Sequence, residues 1–266
     1  GKRNSVPDRS GASDRKASFR SPDQLRKVYE RPGREKRGGG PRRLVYCWQD
    51  PAQERRFGFN VVKEPKNSLN ILYNLSKLLG ESGSVKISKI EDKWILSKFN
   101  SLIKEVTENI ENLHPHLAAR KLQEFWLNNL SRGYIQMVRE RVATEDKAVY
   151  SVMKEVFLNL LKLLAPICPF MTEKIWQELK EKKMVKEESI HLSGWPKADT
   201  KKINKKLEEE FSVVMKIIEL GLAERDKVKI GLKWPLAKAV INAPIKIAKE
   251  FEEILARQLN VKRVEI

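Results

Sequence analysis

Four cationic side chains at and beyond the end of one apolar-striped stretch have the type and spacing to grip a polyanion: Arg132, Arg139, Arg141 and Lys147. Arg132 and Arg139 stand seven residues apart, close to two turns of an α-helix, so a regular helix puts them on one face. Guanidinium and ammonium groups on a common face neutralise phosphates and release the counterions that a nucleic-acid strand carries. Lys93, Arg120 and Lys121 extend the set. Far along the chain, Lys233 and Trp234 put a cation beside a large ring, with Pro235 marking a turn. Such a pair suits contact with an unstacked base. A single Lys or Arg is more often a solvated surface residue, and it is the grouping that points to a ligand.

The charge balance agrees. The 266 residues hold 53 Lys and Arg against 35 Asp and Glu, a net charge of +18. That implies a polyanionic partner, nucleic acid ahead of an anionic membrane surface. The excess is uneven, since residues 1–58 hold 16 Lys and Arg against 7 Asp and Glu. No apolar run approaches the roughly 18 residues of a membrane helix, and Gly1 to Arg15 shows no apolar secretory core. Cys47 and Cys168 have no Cys or His at metal-ligand spacing, which points to a reducing, cytoplasmic setting without a metal site. His114 and His116 flank Pro115 in an expected loop, and His191 stands apart.

The elements that must position these cations are mainly helices. Residues 1–58, with Gly38–Gly40, many Arg and no apolar period, read as a basic arm without fixed structure. Leu69, Leu72, Leu75 and Leu79 recur at helical spacing. Ser88 and Glu91 form a Ser-x-x-Glu start signal for a long helix over about 90–113, striped by Ile95, Phe99, Leu102, Val106, Ile110 and Leu113. A third helix spans about 117–142, and Thr144 and Asp146 announce a fourth. Pro166 and Pro169 break that helix before a fifth, which Thr172 could cap. Short connections make this a helical bundle. Trp94, Trp126 and Trp176 lie on apolar stripes and read as core, Cys168 as a buried hinge filler. Beyond residue 198 the chain reads as a charged helix and then strand, strand, helix and strand, with Lys233–Trp234 in a hairpin. The fold class expected is mainly α, a bundle with a small α/β appendage, divided as 1–58, 59–198 and 199–266.

Leu164-Ala165-Pro166-Ile167-Cys168-Pro169-Phe170-Met171-Thr172-Glu173-Lys174-Ile175-Trp176 is the sharpest motif. It resembles the Leu-Ala-Pro-x-x-Pro-Phe-x-x-Glu-x-Ile/Leu-Trp signature in the anticodon-binding helical domain of class Ia aminoacyl-tRNA synthetases. Asp92-Lys93-Trp94-Ile95-Leu96-Ser97-Lys98-Phe99-Asn100 looks like the opening of that domain, and Leu130-Ser131-Arg132-Gly133-Tyr134-Ile135 like its Leu-Ser-Arg-x-Tyr helix. Ser189-Ile190-His191-Leu192-Ser193-Gly194-Trp195-Pro196 is similar to an element of the isoleucine enzymes. Lys229-Ile230-Gly231-Leu232-Lys233-Trp234-Pro235-Leu236 looks like the C-terminal junction of their archaeal or eukaryotic type. The resemblance covers about residues 57–266.

What this implies is recognition of an isoleucine tRNA at its anticodon stem and loop, by a monomer that needs no membrane. The family binds ATP through His-x-Gly-His and Lys-Met-Ser-Lys-Ser signatures. No His-x-Gly-His occurs, and Lys16-Ala17-Ser18-Phe19-Arg20-Ser21 matches the second only loosely. So no catalytic residue and no cofactor is expected in this chain. ATP and Mg²⁺ would belong to a parent enzyme whose catalytic domain acts in cis or in trans. Residues 1–58 stand where the family has the end of that domain and, apart from the Arg56-Phe57-Gly58-Phe59-Asn60 entry, fit it poorly; an aberrant remnant is a second reading of them. Two rival readings remain: the same domain from a valine or leucine enzyme, and a non-enzymatic helical RNA-binding protein.

Overall fold

The computed structural model describes residues 39–49, 62–83, 87–242 and 248–266, within one compact unit, Gly39–Ile266. The greater part of the expected basic arm, and the Arg56–Asn60 resemblance, lie outside the described residues. The helices are α1 (Gly39–Trp48), α2 (Lys63–Ser76), α3 (Ile90–Glu111) and α4 (Pro115–Glu124). A π-helical stretch (Phe125–Tyr134) and the short α5 (Ile135–Met137) and α6 (Arg139–Ala143) follow. Then come α7 (Lys147–Leu164), α8 (Pro169–Glu181), α9 (Lys205–Lys227), β1 (Leu236–Val240), α10 (Glu250–Leu259) and β2 (Val261–Glu265).

The helical bundle follows from its apolar stripes. Leu69, Leu72 and Leu75 of α2, Ile95, Phe99, Leu102 and Val106 of α3, and Val149, Val152, Val156 and Leu160 of α7 join one core. Trp94, Trp126 and Trp176 are buried in it, as their stripes predict. So is Cys168, whose thiol is pushed up to about 12, chiefly by burial. The core runs on into the C-terminal helix, because Phe211 of α9 stacks on Trp94 at 4.6 Å and meets Phe251 of α10 edge-on.

Several local expectations change. Residues 39–48, part of the stretch expected to stay unordered, form α1. Leu44 and Val45 are buried, Arg43 donates to the Ile167 carbonyl, and Arg120 donates to that of Trp48. The Ser88–Glu91 signal is not a capping box: Lys89 is the N-cap of α3 without a side-chain bond, and Glu91 faces inward. Thr172 does not cap α8. Cys168 holds the cap position, and the Thr172 hydroxyl donates back to the Cys168 and Pro169 carbonyls. Asp146 does cap α7, accepting from the Ala148 N–H at 2.8 Å.

The expected helix over 117–142 is interrupted twice. Trp126, Leu130 and Tyr134 recur every four residues, and the wider π turn keeps them together on the core. Gly133 makes this possible, since a Cβ there would lie 3.0 Å from the Asn128 carbonyl oxygen and 3.2 Å from the Trp94 ring. Val138 then leaves helical geometry, at φ −98° and ψ 9°.

The expected hairpin around Lys233–Trp234 is absent. Residues 228–235 form a turn-rich loop, and β1 pairs with β2 in parallel across α10, Leu236 opposite Val261. A parallel pair needs a crossover helix where a hairpin needs only a turn. Asn260, at φ 48°, ends α10 in the left-handed region and turns the chain into β2.

Candidate nucleic-acid interface

α3 organises the site. Its first turn presents Glu91, Asp92 and Lys93; the two acids are buried and Lys93 is exposed. Arg141 reaches them from α6. Its Nη1 lies 3.0 Å from Glu91 Oε1, its Nη2 lies 2.8 Å from Asp92 Oδ2, and its Nε lies 2.9 Å from Asp146 Oδ2. Tyr134 donates its hydroxyl to Asp92 Oδ1 at 2.7 Å. Burial works against charge on the guanidinium, but the bonds to Asp92 and Asp146 outweigh it and hold its proton more tightly than usual. Burial, with Asp92 adding to it, raises the Tyr134 hydroxyl, which stays a donor. A bidentate arginine is the side chain suited to such a site.

This clamp ties the α6–α7 corner to the start of α3, so that Lys93, Arg139 and Lys147 emerge at one end of the bundle, all exposed. Lys147 is the first residue of α7, where the helix dipole favours anions rather than a cation. The Asp146 carboxylate caps that turn, so an external anion at this corner meets the Lys147 ammonium rather than free helix N–H groups.

α9 brings the C-terminal tip toward the same end. Glu208, near its start, accepts from the Ser97 hydroxyl; Phe211 meets Trp94; Met215 comes within reach of Gly133. Rising numbers on α9 therefore run against α3, toward and past its first turn. α10 adds a side to this end: Gln258 donates to the Gln136 carbonyl of α5. Lys93 shares a cleft of about 220 Å³ with Ser88, Glu253 and Arg257. Lys233 and Trp234 are exposed on the loop after α9, the indole at 71%.

The structure thus divides the predicted set. Lys93, Arg139, Lys147 and the Lys233–Trp234 loop gather toward one end, and Arg141 serves that end from within. Arg120 and Lys121 belong elsewhere: Arg120 is tied to α1, and Lys121 pairs with Glu105 at 3.1 Å, far along α3 from Lys93. Arg132 is exposed on the π stretch, where its guanidinium lies 3.4 Å from Asn128 Oδ1. Because the chain leaves regular α geometry between them, the seven-residue spacing to Arg139 no longer defines a face. Sequence reasoning passed over Arg257, whose signal was its place in the last turn of an amphipathic helix beside Gln258. It also missed Arg225, which carried no signal because its partners are backbone carbonyls.

Residues 92–241 match the family model described as the anticodon-binding domain of tRNA ligase. The chain belongs to that family. Among curated relatives, the isoleucine–tRNA ligase of Pyrococcus horikoshii is 35% identical over 254 residues, covering 87% of this chain and 24% of the relative. That of Thermococcus kodakarensis is 36% identical over 252 residues, covering 86% and 24%. The chain therefore spans about a quarter of the length of these relatives. The solved LeuRS–tRNA–LeuAMS complex of Agrobacterium radiobacter K84 aligns with 66% of this chain and 20% of that one, at 16% identity and a TM-score of 0.47, too loose a likeness to argue from. No helix of the described residues is long and apolar enough to cross a membrane. Among the same residues no group of three or more His, Cys, Asp and Glu could hold a metal ion.

Proposed function

We propose that this chain binds the anticodon stem and loop of an isoleucine tRNA, as the recognition part of an isoleucine–tRNA ligase that joins isoleucine to its tRNA at the expense of ATP. The observation that carries the reading is that a domain of this family exposes Lys93, Arg139 and Lys147 around the Arg141 clamp, with the exposed Lys233–Trp234 loop following α9, which runs past the first turn of α3. Cations there neutralise backbone phosphates, and the exposed indole offers a face to an unpaired base. Such a division of labour lets one surface supply affinity through charge and selectivity through stacking and base edges.

The chain supplies recognition and not chemistry. ATP and Mg²⁺ belong to a catalytic domain that would act with it in cis or in trans, and the setting is the cytoplasm, with the chain a monomer. The test is binding by the full chain at several salt concentrations to isoleucine tRNA, valine tRNA and an unrelated RNA duplex. Tightest binding to isoleucine tRNA, weakening as salt rises, is the expected result. A preference for valine tRNA would move the chain to a sister enzyme. Equal affinity for tRNA and duplex would reduce it to a general RNA-binding protein.

A further inference from the structure

Trp234 is the most exposed aromatic ring among the described residues with a stated exposure, yet the backbone beneath it is unusually well fastened. Arg225, at the end of α9 and buried to 6% exposure, spends its guanidinium on carbonyls: Nη2 donates to those of Gly231, at 2.9 Å, and Trp234, and Nη1 donates to that of Leu259 at 3.2 Å. Leu259 is the last residue of α10, where the helix dipole favours a cation, so the buried charge is accommodated without an acid. Asn260 Nδ2 donates to the Leu232 carbonyl at 2.7 Å, and the Trp234 N–H donates to Gly231. The carbonyls of Gly231, Leu232 and Trp234 are thus all held by the protein, while the side chains of Leu232, Lys233 and Trp234 face solvent.

A loop with a fixed backbone and an exposed apolar ring is preorganised for a ligand, because little ordering entropy remains to be lost on binding. We propose that Leu232–Trp234 is a rigid stacking tip for an unpaired RNA base, and that Arg225 and Asn260 are its positioning residues. The proposal rests on the RNA-binding reading above and adds to it the element that tells an open loop from a duplex. An indole stacks on any unpaired base, whereas paired bases offer it no free face. Lys233, beside it, holds the adjoining phosphate.

The test uses the full chain and a fluorescently labelled anticodon stem–loop, with the same strand annealed to its complement as the duplex control. Trp234→Ala is expected to weaken stem–loop binding about five- to a hundredfold, to leave duplex binding unchanged, and to leave the salt slope unchanged, since no cation is removed. Trp234→Phe keeps a ring and recovers part of the affinity. Arg225→Gln tests the bracket, with the risk of misfolding. Asn260→Gly avoids that risk, since glycine accepts the left-handed conformation and only the tether to Leu232 is lost. It is expected to weaken stem–loop binding about three- to tenfold, and to add nothing in a Trp234→Ala background. A merely structural role would give losses that add in full, and that result overturns the positioning claim. Stem–loop affinity unaltered by Trp234→Ala overturns the tip itself while the RNA-binding reading stands. Failure of the unaltered chain to bind RNA overturns that reading, and the tip with it.

Discussion

At the scale of the residue, Arg141 carries the clearest lesson. Charge and position both suggested a phosphate contact, yet the side chain is turned to Glu91, Asp92 and Asp146 and only 14% of it is exposed. Removing it leaves two buried carboxylates without their cation, a costlier change than losing the pair as a unit. Arg141→Leu should therefore lower the unfolding free energy by on the order of 3 kcal/mol, read from urea denaturation; a change within 0.5 kcal/mol, the ordinary range of a surface substitution, would show the clamp to be idle. Asp146 gives a pH test. Burial pushes its carboxyl up, but the Arg141 guanidinium and the N–H groups at the start of α7 outweigh that and hold it below its ordinary value. A carboxyl lowered by folding stabilises the fold above its unfolded value, about 3.9, and that contribution drains away as the pH falls through the lowered folded value. Asp146→Asn keeps an N-capping side chain and loses the ion pair. Its deficit in Tm should be full at pH 7 and narrow below about pH 3.9; a deficit independent of pH would contradict this account.

At the scale of the element, the π stretch matters most. It lets Trp126 reach the Ser68 hydroxyl of α2 at 3.0 Å while Tyr134, eight residues on, reaches Asp92 of α3. One helix segment thereby joins two others, and its wide turn depends on Gly133. A methyl there would press on the Asn128 backbone and the buried Trp94 ring, neither of which can swing aside. Gly133→Ala should destabilise by about 1–3 kcal/mol, as overpacking does, and should do so with little change at the distant α2–α8 contact, where Tyr73 donates to Glu178 at 3.0 Å. Thermal unfolding and amide exchange across α2 and α8 would show this, and a stabilised variant would mean that the stretch relaxes to regular α-helix. The Leu164–Trp176 motif does its work at this scale too. Its prolines bend the chain, and Glu173 then accepts from the Ser189 hydroxyl at 2.8 Å and the Ile190 N–H at 3.1 Å, fixing the segment that carries His191. His191 is thus read as part of a packed element rather than as a ligand.

At the scale of the whole molecule, the net charge of +18 matters less than where unpaired cations collect. Each phosphate contact contributes about 0.9 to the slope of log affinity against log salt on a duplex and about 0.7 on a single strand. Arg139→Gln and Lys147→Gln, at the end where the cations gather, should each lower that slope for tRNA by nearly one such step. Lys121→Gln should lower it far less, because Lys121 is already opposed by Glu105. Equal changes at all three positions would place the interface elsewhere, or spread it over the whole basic surface.

The sequence by itself determined the bundle. Its apolar stripes repeat every three or four residues, and burying them against one another is the main favourable term in folding. It also determined the hinge, through prolines that cannot continue a helix, and the family, through separate motifs spread between Asp92 and Leu236. Tertiary structure alone decided which cations are free. Whether a cation meets a phosphate or a carboxylate depends on acids brought in from another helix: Glu91 and Asp92, about fifty residues away, for Arg141, and Glu105, sixteen residues away, for Lys121. No local pattern encodes such partners, nor the carbonyls that hold Arg225, because every residue presents the same backbone and only the fold brings particular ones within reach.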